Sequence, residues 1–258
     1  MNLDSPVVEL RQYTTHPGTR DRLVRVFEEH FIEEQERCGM RLLGQFRDLG
    51  DADRFVWLRG FADMEARTRA LEAFYSGPVW LAHREEANAT MIDHTNVLLL
   101  KPAGPGLGFR FDPRLRPPPD AVEGPERVQT PGEAKAPGGI TTPGGVVIAT
   151  ICHLAAAATP DVLAAVGEAS VAMASEGGPA TLLARLVTEP ARNGYPRLPV
   201  REDANVVVAV ASYGSADDWK PAVVTSPAVA RVEHLRLAPT RRSLLRHPPF
   251  LRHQRTRT

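Results

Sequence analysis

Ten of the chain's 23 prolines fall between Pro102 and Gly145, among closely spaced glycines and with scarcely any apolar periodicity. Proline removes a backbone donor and glycine loses the most freedom on ordering, so neither helix nor strand is expected here. A structureless connection of about 40 residues is too long for the interior of a compact domain. The 258-residue chain is therefore expected to divide at this point. The expected units are 1–102 and 146–240, with a linker at 103–145 that floats free or straps across a surface, and a basic tail at 241–258. The tail, rich in arginine, is read as a frayed terminus, or as an arm for an acidic partner.

The segments on either side share one grammar. Residues 7–15 are rich in β-formers and end at His16-Pro17-Gly18, a strand and a turn. A helix follows, capped by Thr19 or Asp21, with Leu23, Val26, Phe27, His30 and Phe31 near helical spacing and Gly39 as its stop. Residues 41–48 and 54–61 form a hairpin around Leu49-Gly50-Asp51-Ala52-Asp53. A second helical stretch starts near Asp63, breaks at Gly77-Pro78 and resumes through Ala89, and residues 95–100 close the unit as an apolar strand. Beyond the linker, strands are expected at 146–153, 180–188, 205–213 and 232–237, with helices at 160–176 and 215–230. Gly77-Pro78 is answered by Ser226-Pro227, and Leu100-Lys101-Pro102 by Leu237-Ala238-Pro239, which points to an internal duplication. The order β-α-β-β-α-β is that of the ferredoxin-like plait, whose helices cover one sheet face and leave the other needing a partner. The expected fold class is α+β, two ferredoxin-like (βαββαβ) domains in tandem, their sheets packed face to face as a pseudo-dimeric α/β barrel.

Composition narrows the function classes. At 43% hydrophobic and 24% charged, the chain has the usage of a folded globular protein. Its formal net charge of zero supplies no global field toward nucleic acid or anionic membrane. The longest apolar run, 206–211, falls far short of the roughly 20 residues a membrane span needs. The N-terminus has neither a basic start nor an apolar signal core, so a cytoplasmic location is expected. Cys38 and Cys152 lack CxxC partners and read as buried free thiols. No HxH, HExxH or Cys/His cluster suggests a metal, and no Gly-rich phosphate loop or nucleophile elbow is present. No cofactor is expected.

Glu9-Leu10-Arg11-Gln12-Tyr13 followed by His16-Pro17-Gly18 resembles the opening of NIPSNAP-family domains. Phe27-Glu28-Glu29-His30, Trp57, Gly77-Pro78-Val79-Trp80 and the closing Leu100-Lys101-Pro102 also look like family features, so the resemblance spans residues 7–102. It implies membership of the dimeric α/β-barrel superfamily. That superfamily holds cofactor-independent oxygenases and cyclases acting on aromatic polyketides, haem-degrading monooxygenases, and proteins with no known reaction. Fold alone does not choose among them. The second half keeps the topology and the terminal Pro239-Thr240-Arg241-Arg242-Ser243-Leu244. It loses the opening motif, since Ile148, Thr150 and Cys152 stand where Glu9, Arg11 and Tyr13 would align. A site is therefore expected on the first half.

Strand alternation sends Glu9, Arg11 and Tyr13 to one face and Val8 and Leu10 to the other. The apolar side is expected to meet the helices, which directs Glu9, Arg11 and Tyr13, with Trp57, Arg59 and Phe61 of the third strand, into the barrel interior. Such a pocket suits a planar anionic or phenolic molecule. Glu9, Arg11 and His94 are the catalytic candidates, and Tyr13, Trp57, Arg59, Phe61 and Trp80 the substrate-binding ones. Glu9 or a fourth-strand histidine would remove a proton while the arginines stabilise the oxyanion. Against this stand plainer readings: Glu9 and Arg11 as a structural ion-pair lattice, Trp57 and Trp80 as packing. His94 follows Asp93 and His234 follows Glu233, but neighbours in a strand face opposite ways, so neither pair is a ready dyad. Haem is disfavoured because no axial ligand is evident. The loop at 189–204, with Arg192, Tyr195, Arg197 and Arg201, is long for a hairpin and is read as a surface excursion, a pocket lid being the other reading.

The function expected is a cofactor-independent oxygenase, isomerase or cyclase of secondary metabolism, acting on an aromatic or polyketide-like small molecule. The alternative is a non-catalytic ligand-binding or assembly protein of the NIPSNAP type. Partners are expected to be a small aromatic molecule, no nucleic acid and no membrane span, with an intrachain pseudo-dimer and homodimerisation left open.

Overall fold

The computed structural model describes residues 5–110, 112–119, 145–176, 180–221 and 224–247. The rest of the expected linker, 120–144, and the end of the expected tail, 248–258, lie outside the described residues. In chain order the elements are β1 (Val7–Thr15), α1 (Arg20–Val26), a π-helical turn (Phe27–Phe31), α2 (Ile32–Arg37), β2 (Arg41–Asp48), β3 (Arg54–Phe61), α3 (Met64–Tyr75), α4 (Pro78–Asn88) and β4 (Met91–Pro102). After the proline-rich segment come β5 (Val146–Leu154), α5 (Pro160–Glu176), β6 (Thr181–Thr188), β7 (Val206–Tyr213) and β8 (Val229–Pro239).

The eight strands close into one antiparallel barrel in the order β1-β3-β2-β8-β5-β7-β6-β4. The sheets of the two halves therefore join edge to edge, not as two separate sheets stacked face to face. The seams are short: Phe46–Asp48 of β2 on residues 237–239 of β8, and Leu100–Pro102 of β4 on residues 186–188 of β6. Closure gives every edge strand a partner for backbone groups that would otherwise be open. In each half the fourth strand lies beside the first, and the third between the first and second.

Closure also reverses the expected facing of the strands. Val8, Leu10, Val56 and Leu58 meet Val147, Val208 and Leu237 from the other half in one buried apolar cluster, the interior of the barrel. An eight-stranded barrel has an interior just wide enough for side chains to fill, and aliphatic residues fill it without leaving polar atoms unpaired. Glu9, Arg11, Tyr13, Trp57, Arg59 and Phe61, of opposite parity, lie instead beneath the helices. There the aromatic and aliphatic members pack with Phe27, Phe31, Leu71 and Phe74.

Helices α1 to α4 pack on the outside of the first half. In the second half α5 forms as expected, but the helix expected at 215–230 does not. Among the described residues there, only a 3-10 turn at Ala216–Asp218 forms, with Ser215 and Asp218 capping each other. Pro221 and Pro227 each remove a helix donor, and residues 222–223 lie outside the described set. The terminal strands are longer than their apolar cores: β4 begins at Met91 and β8 at Val229.

The start of the proline-rich segment straps the barrel. Ala103 N donates to Arg185 O at 2.9 Å, Arg185 N donates to Leu107 O at 2.8 Å, and Phe109 is fully buried. Residues 241–247, expected to fray, are packed as well. Leu244 and Leu245 join the barrel core, Leu245 N donates to Leu43 O at 3.1 Å, and Arg242 pairs with Glu33 and donates to Glu28 O at 2.9 Å. Apolar side chains at a barrel end and acidic partners for the arginine hold what charge alone would have released. No described helix is long and apolar enough to cross a membrane.

Filling of the barrel makes a direct prediction. Leu10→Ala should cost about 2–5 kcal/mol in urea unfolding, as large-to-small changes in packed cores do. Leu81→Ala, on the exposed face of α4, should change it by less than about 0.5 kcal/mol.

Candidate functional site

Three elements bring charge together beneath the helices, and a fourth supplies a neutral partner. In the β1–β3 ladder Glu9 stands opposite Arg59, and Arg11 opposite Trp57. Asp63 caps α3, its side chain accepting from Ala66 N at 2.6 Å, and Arg67 falls one turn further on, facing the sheet. Helix α2 ends at Gly39, whose φ of 98° suits glycine alone. There Gly39 N donates to Glu36 O at 3.0 Å and Met40 N to Gln35 O at 3.1 Å, the paired bonds of a Schellman stop. This stop sets Gln35 and Met40 against Arg59.

Glu9 Oε2 accepts from Arg11 Nη1 at 2.7 Å and from Arg59 Nε at 2.8 Å, and Oε1 accepts from Arg67 Nε at 2.7 Å. All four residues are fully buried, and three guanidinium groups on one carboxylate leave a positive surplus. Burial alone would push the Glu9 carboxyl up, but Arg59, Arg11 and Arg67 outweigh it and hold Glu9 well below the usual carboxylate range. The remaining donors reach outward. Arg59 Nη1 donates to Gln35 Oε1 at 2.9 Å, Arg67 Nη1 to Asn193 Oδ1 at 2.9 Å, and Arg11 Nε to the Tyr13 hydroxyl at 2.8 Å. Burial pushes the Tyr13 phenol up to about 12, so it stays protonated. The Arg11 and Arg59 carbons lie 5.5 and 4.9 Å from the centre of the Trp57 ring, within cation–π range. Arg11 Nη2, Arg59 Nη2 and Trp57 Nε1 are buried with no hydrogen-bond partner among the described residues.

Next to this cluster lies a cavity of about 450 Å³ between the sheet and the helices. Its apolar walls come from Phe27, Phe31, Phe74, Trp57 and Trp80, and its polar wall from Tyr13 and Gln35. The π-helical turn brings Phe27 and Phe31 to this wall together; single π-turns inside helices recur at functional sites. Phe27 packs on Trp57 at 4.7 Å between ring centres, and Phe31 on Trp80 at 5.6 Å. The roof comes from the other half of the chain. In the loop between β6 and β7, Tyr195 stacks on Tyr75 at 6.1 Å, Leu198 is buried, and Asn193 ties the loop to Arg67. The loop thus covers the cavity and is not a free excursion.

Of the residues singled out in the sequence, Tyr13, Trp57, Trp80 and His94 line this cavity. His94 sits exposed at its mouth, its ring centre 6.1 Å from that of Tyr13. Glu9, Arg11, Arg59 and Phe61 do not line it; they form a layer behind, with Arg59 over the Phe61 ring. Both Glu9 oxygens are occupied by arginines, so Glu9 is not placed to take a proton from an occupant. His234 belongs elsewhere, on the second half, within 3.1 Å of the Thr150 hydroxyl. Gln35, Arg67 and Asn193 are absent from the sequence reading, which places Phe27 and Phe31 on the first helix but not in the site. Arg67 did leave a signal, because it continues the buried stripe of Ala70, Leu71 and Phe74 on α3, an expensive place for a lone charge. Among the described residues, no three His, Cys, Asp or Glu side chains converge to hold a metal ion.

The NIPSNAP family model matches residues 8–105, the half of the chain that holds the charge cluster and most of the cavity. Those residues form a NIPSNAP domain. An uncharacterized NIPSNAP-like domain protein from Burkholderia xenovorans is 26% identical, over 39% of this chain and 87% of that one, with a TM-score of 0.36. A NIPSNAP family protein from Agrobacterium tumefaciens is 20% identical, over 38% of this chain and 92% of that one, with a TM-score of 0.35. A provisionally assigned monooxygenase from Lactobacillus acidophilus is 13% identical, over 92% of this chain and 94% of that one, with a TM-score of 0.49. No curated protein matches the chain.

The charge cluster dictates how stability responds to Glu9 and to acid. Glu9→Gln strands three buried cations and should cost about 3–5 kcal/mol in urea unfolding at pH 7. Because the folded pKa of Glu9 lies below its ordinary 4.5, its stabilisation is complete above that value and is lost as pH falls toward the folded one. The gap between wild type and Glu9→Gln should therefore narrow below pH 4.5. A gap that stays constant from pH 7 to pH 3.5 would contradict this charge balance.

Proposed function

We propose that the NIPSNAP domain, roofed by the loop between β6 and β7, is a cofactor-independent enzyme site for an aromatic or polyketide-like small molecule, of oxygenase, isomerase or cyclase type. The observation that carries this reading is the Tyr13 hydroxyl. Its oxygen accepts from Arg11 Nε, so its own hydrogen is left to point elsewhere, in the wall of an aromatic cavity. A phenol that accepts from a guanidinium is a polarised donor, suited to a developing oxyanion. A planar ring stacks between Phe27, Phe31 and Trp80, with its oxygen toward Tyr13 and Gln35. His94, at the mouth, takes a proton from carbon or oxygen of the bound molecule. The electron pair left behind is delocalised onto the oxygen that faces Tyr13, and the resulting enolate or phenolate is the species that isomerises, cyclises or meets oxygen. Glu9, Arg59 and Arg67 hold the Arg11–Tyr13 pair in place and touch no substrate.

The domain organisation belongs to the same reading. Residues 1–102 and 146–240 are proposed as tandem ferredoxin-like units, supported by the repeated strand order and by the matched Lys101-Pro102 and Ala238-Pro239 ends. The first unit supplies the chemistry and the second the roof.

Native mass spectrometry of protein taken directly from cells, followed by denaturing analysis, should release an aromatic metabolite. Supplied again, that molecule should be consumed by the wild type. Tyr13→Phe and His94→Ala should each lower turnover by about 100-fold while retaining binding. Unchanged turnover in both variants would remove the catalytic assignment. Stoichiometric binding without consumption by the wild type would favour the non-catalytic, ligand-binding reading instead.

A further inference from the structure

Arg197 occupies a position that the proton-transfer chemistry above does not use. Of the described residues lining the cavity, it alone carries a permanent charge, and no carboxylate lines the cavity beside it. It makes no ion pair and no side-chain hydrogen bond among the described residues, whereas Arg11, Arg59 and Arg67 of the charge cluster are each paired with Glu9. Its exposure would permit a solvated, wandering side chain, but the backbone that carries it is held on both sides. Leu198 N donates to Tyr195 O at 3.1 Å, closing a β-turn over Tyr195, Pro196, Arg197 and Leu198. Proline in the second position presets such a turn, and Pro199 stiffens the exit. On one side of Arg197 Tyr195 is stacked on Tyr75, and on the other Leu198 is buried, its carbonyl accepting from Asn193 Nδ2 at 2.9 Å. Asn193 is in turn fastened to Arg67 of the charge cluster. A long hairpin loop has thus been pinned at three residues so as to present one unpaired guanidinium at the mouth of an apolar cavity.

We infer that Arg197 is a specificity-determining residue, and that the ligand is amphipathic. An aromatic body fills the cavity, and an anionic group, a carboxylate or an equivalent oxyanion, emerges at the mouth and is held by Arg197. This rests on the cavity being the binding site, as proposed above, and adds the chemical class of the ligand. A planar guanidinium matches a carboxylate through two parallel, charge-assisted donors. The inference also gives the second half of the chain a part in recognition: the residue that reads the anion comes from beyond the proline-rich segment, and the ring pocket comes from before it.

Two fluorescent probes of nearly equal apolar shape separate the claims, namely 8-anilinonaphthalene-1-sulfonate, which is anionic, and N-phenyl-1-naphthylamine, which is neutral. Both are titrated into the intact protein, into Arg197→Gln and Arg197→Lys, and into Asn88→Trp, which blocks the mouth from an exposed position. The inference expects Arg197→Gln to weaken the anionic probe by about tenfold, Arg197→Lys to recover part of the loss, and the neutral probe to bind all three proteins alike. Asn88→Trp should weaken both probes. Equal affinity of wild type and Arg197→Gln for the anionic probe, with the neutral probe still bound and still blocked by Asn88→Trp, would overturn the role of Arg197 and leave the cavity reading standing. Failure of the wild type to bind the neutral probe, or binding that ignores Asn88→Trp, would overturn the cavity reading and this inference with it.

Discussion

The Glu9 carboxylate is the point on which the first half of the molecule is assembled. One fully buried anion holds guanidinium groups from β1, β3 and α3. Through those groups it also fixes α2, by way of Gln35, and the roof loop, by way of Asn193. Buried charges are costly, and their removal from water is offset only when nearly every lone pair and donor is used. That condition makes the arrangement selective: α3 must present Arg67 at one height, α2 must stop at Gly39, and the loop must bring Asn193 within reach. The cluster holds more positive than negative charge, and among the described residues Arg11 Nη2 and Arg59 Nη2 find no partner.

The surplus charge acts on the cavity without entering it. Arg11 reaches the wall through Tyr13, Arg59 through Gln35, and both lie against the Trp57 ring. On the proposed reading, a molecule in the cavity meets two neutral donors on this wall, Tyr13 and Gln35, and the arginines behind them set their polarity. Such a wall favours an oxyanion without the desolvation cost of pressing a bare guanidinium against an aromatic ring. The repeated strand order places Ile148, Thr150 and Cys152 on the corresponding strand of the second half. There Cys152 packs with Leu154, Val162 and Val166, and burial pushes its thiol up to about 11. With no charge at those three positions, that half instead contributes the roof.

Much of this was legible in the sequence. The bounds of β1, β2, β3 and α5 follow from alternation, turn residues and caps alone, because those segments end at Gly, Pro or Asp and their interiors are consistently patterned. The residues of the charged layer were legible as well, as Glu9, Arg11, Tyr13, Trp57 and Arg59 share one strand face. Their direction was not. Both faces of β1 and β3 are buried, so alternation separates two sets of side chains without saying which meets helices and which meets the other half. The aliphatic set belongs inside because a closed barrel is filled from all sides, a property of eight strands that no one strand expresses. The expected helix at 215–230 failed where two prolines outweigh a weak apolar pattern. The packed residues 241–247 escaped notice because the arginines around Leu244 and Leu245 hide an apolar pair. Arg67, Gln35 and Asn193 come from three separate elements and meet only in the fold.

On the proposed reading, the cavity between the sheet and helices of the NIPSNAP domain binds a planar molecule, while the barrel interior is closed core. A crystal structure of the protein grown with a saturating aromatic carboxylate such as 2-naphthoate tests it most directly. The ring should lie between Phe27, Phe31 and Trp80, within reach of the Tyr13 hydroxyl and under the roof loop. Ring density among Leu10, Val56 and Val208 inside the barrel, or an empty cavity with the molecule bound on another surface, would contradict it.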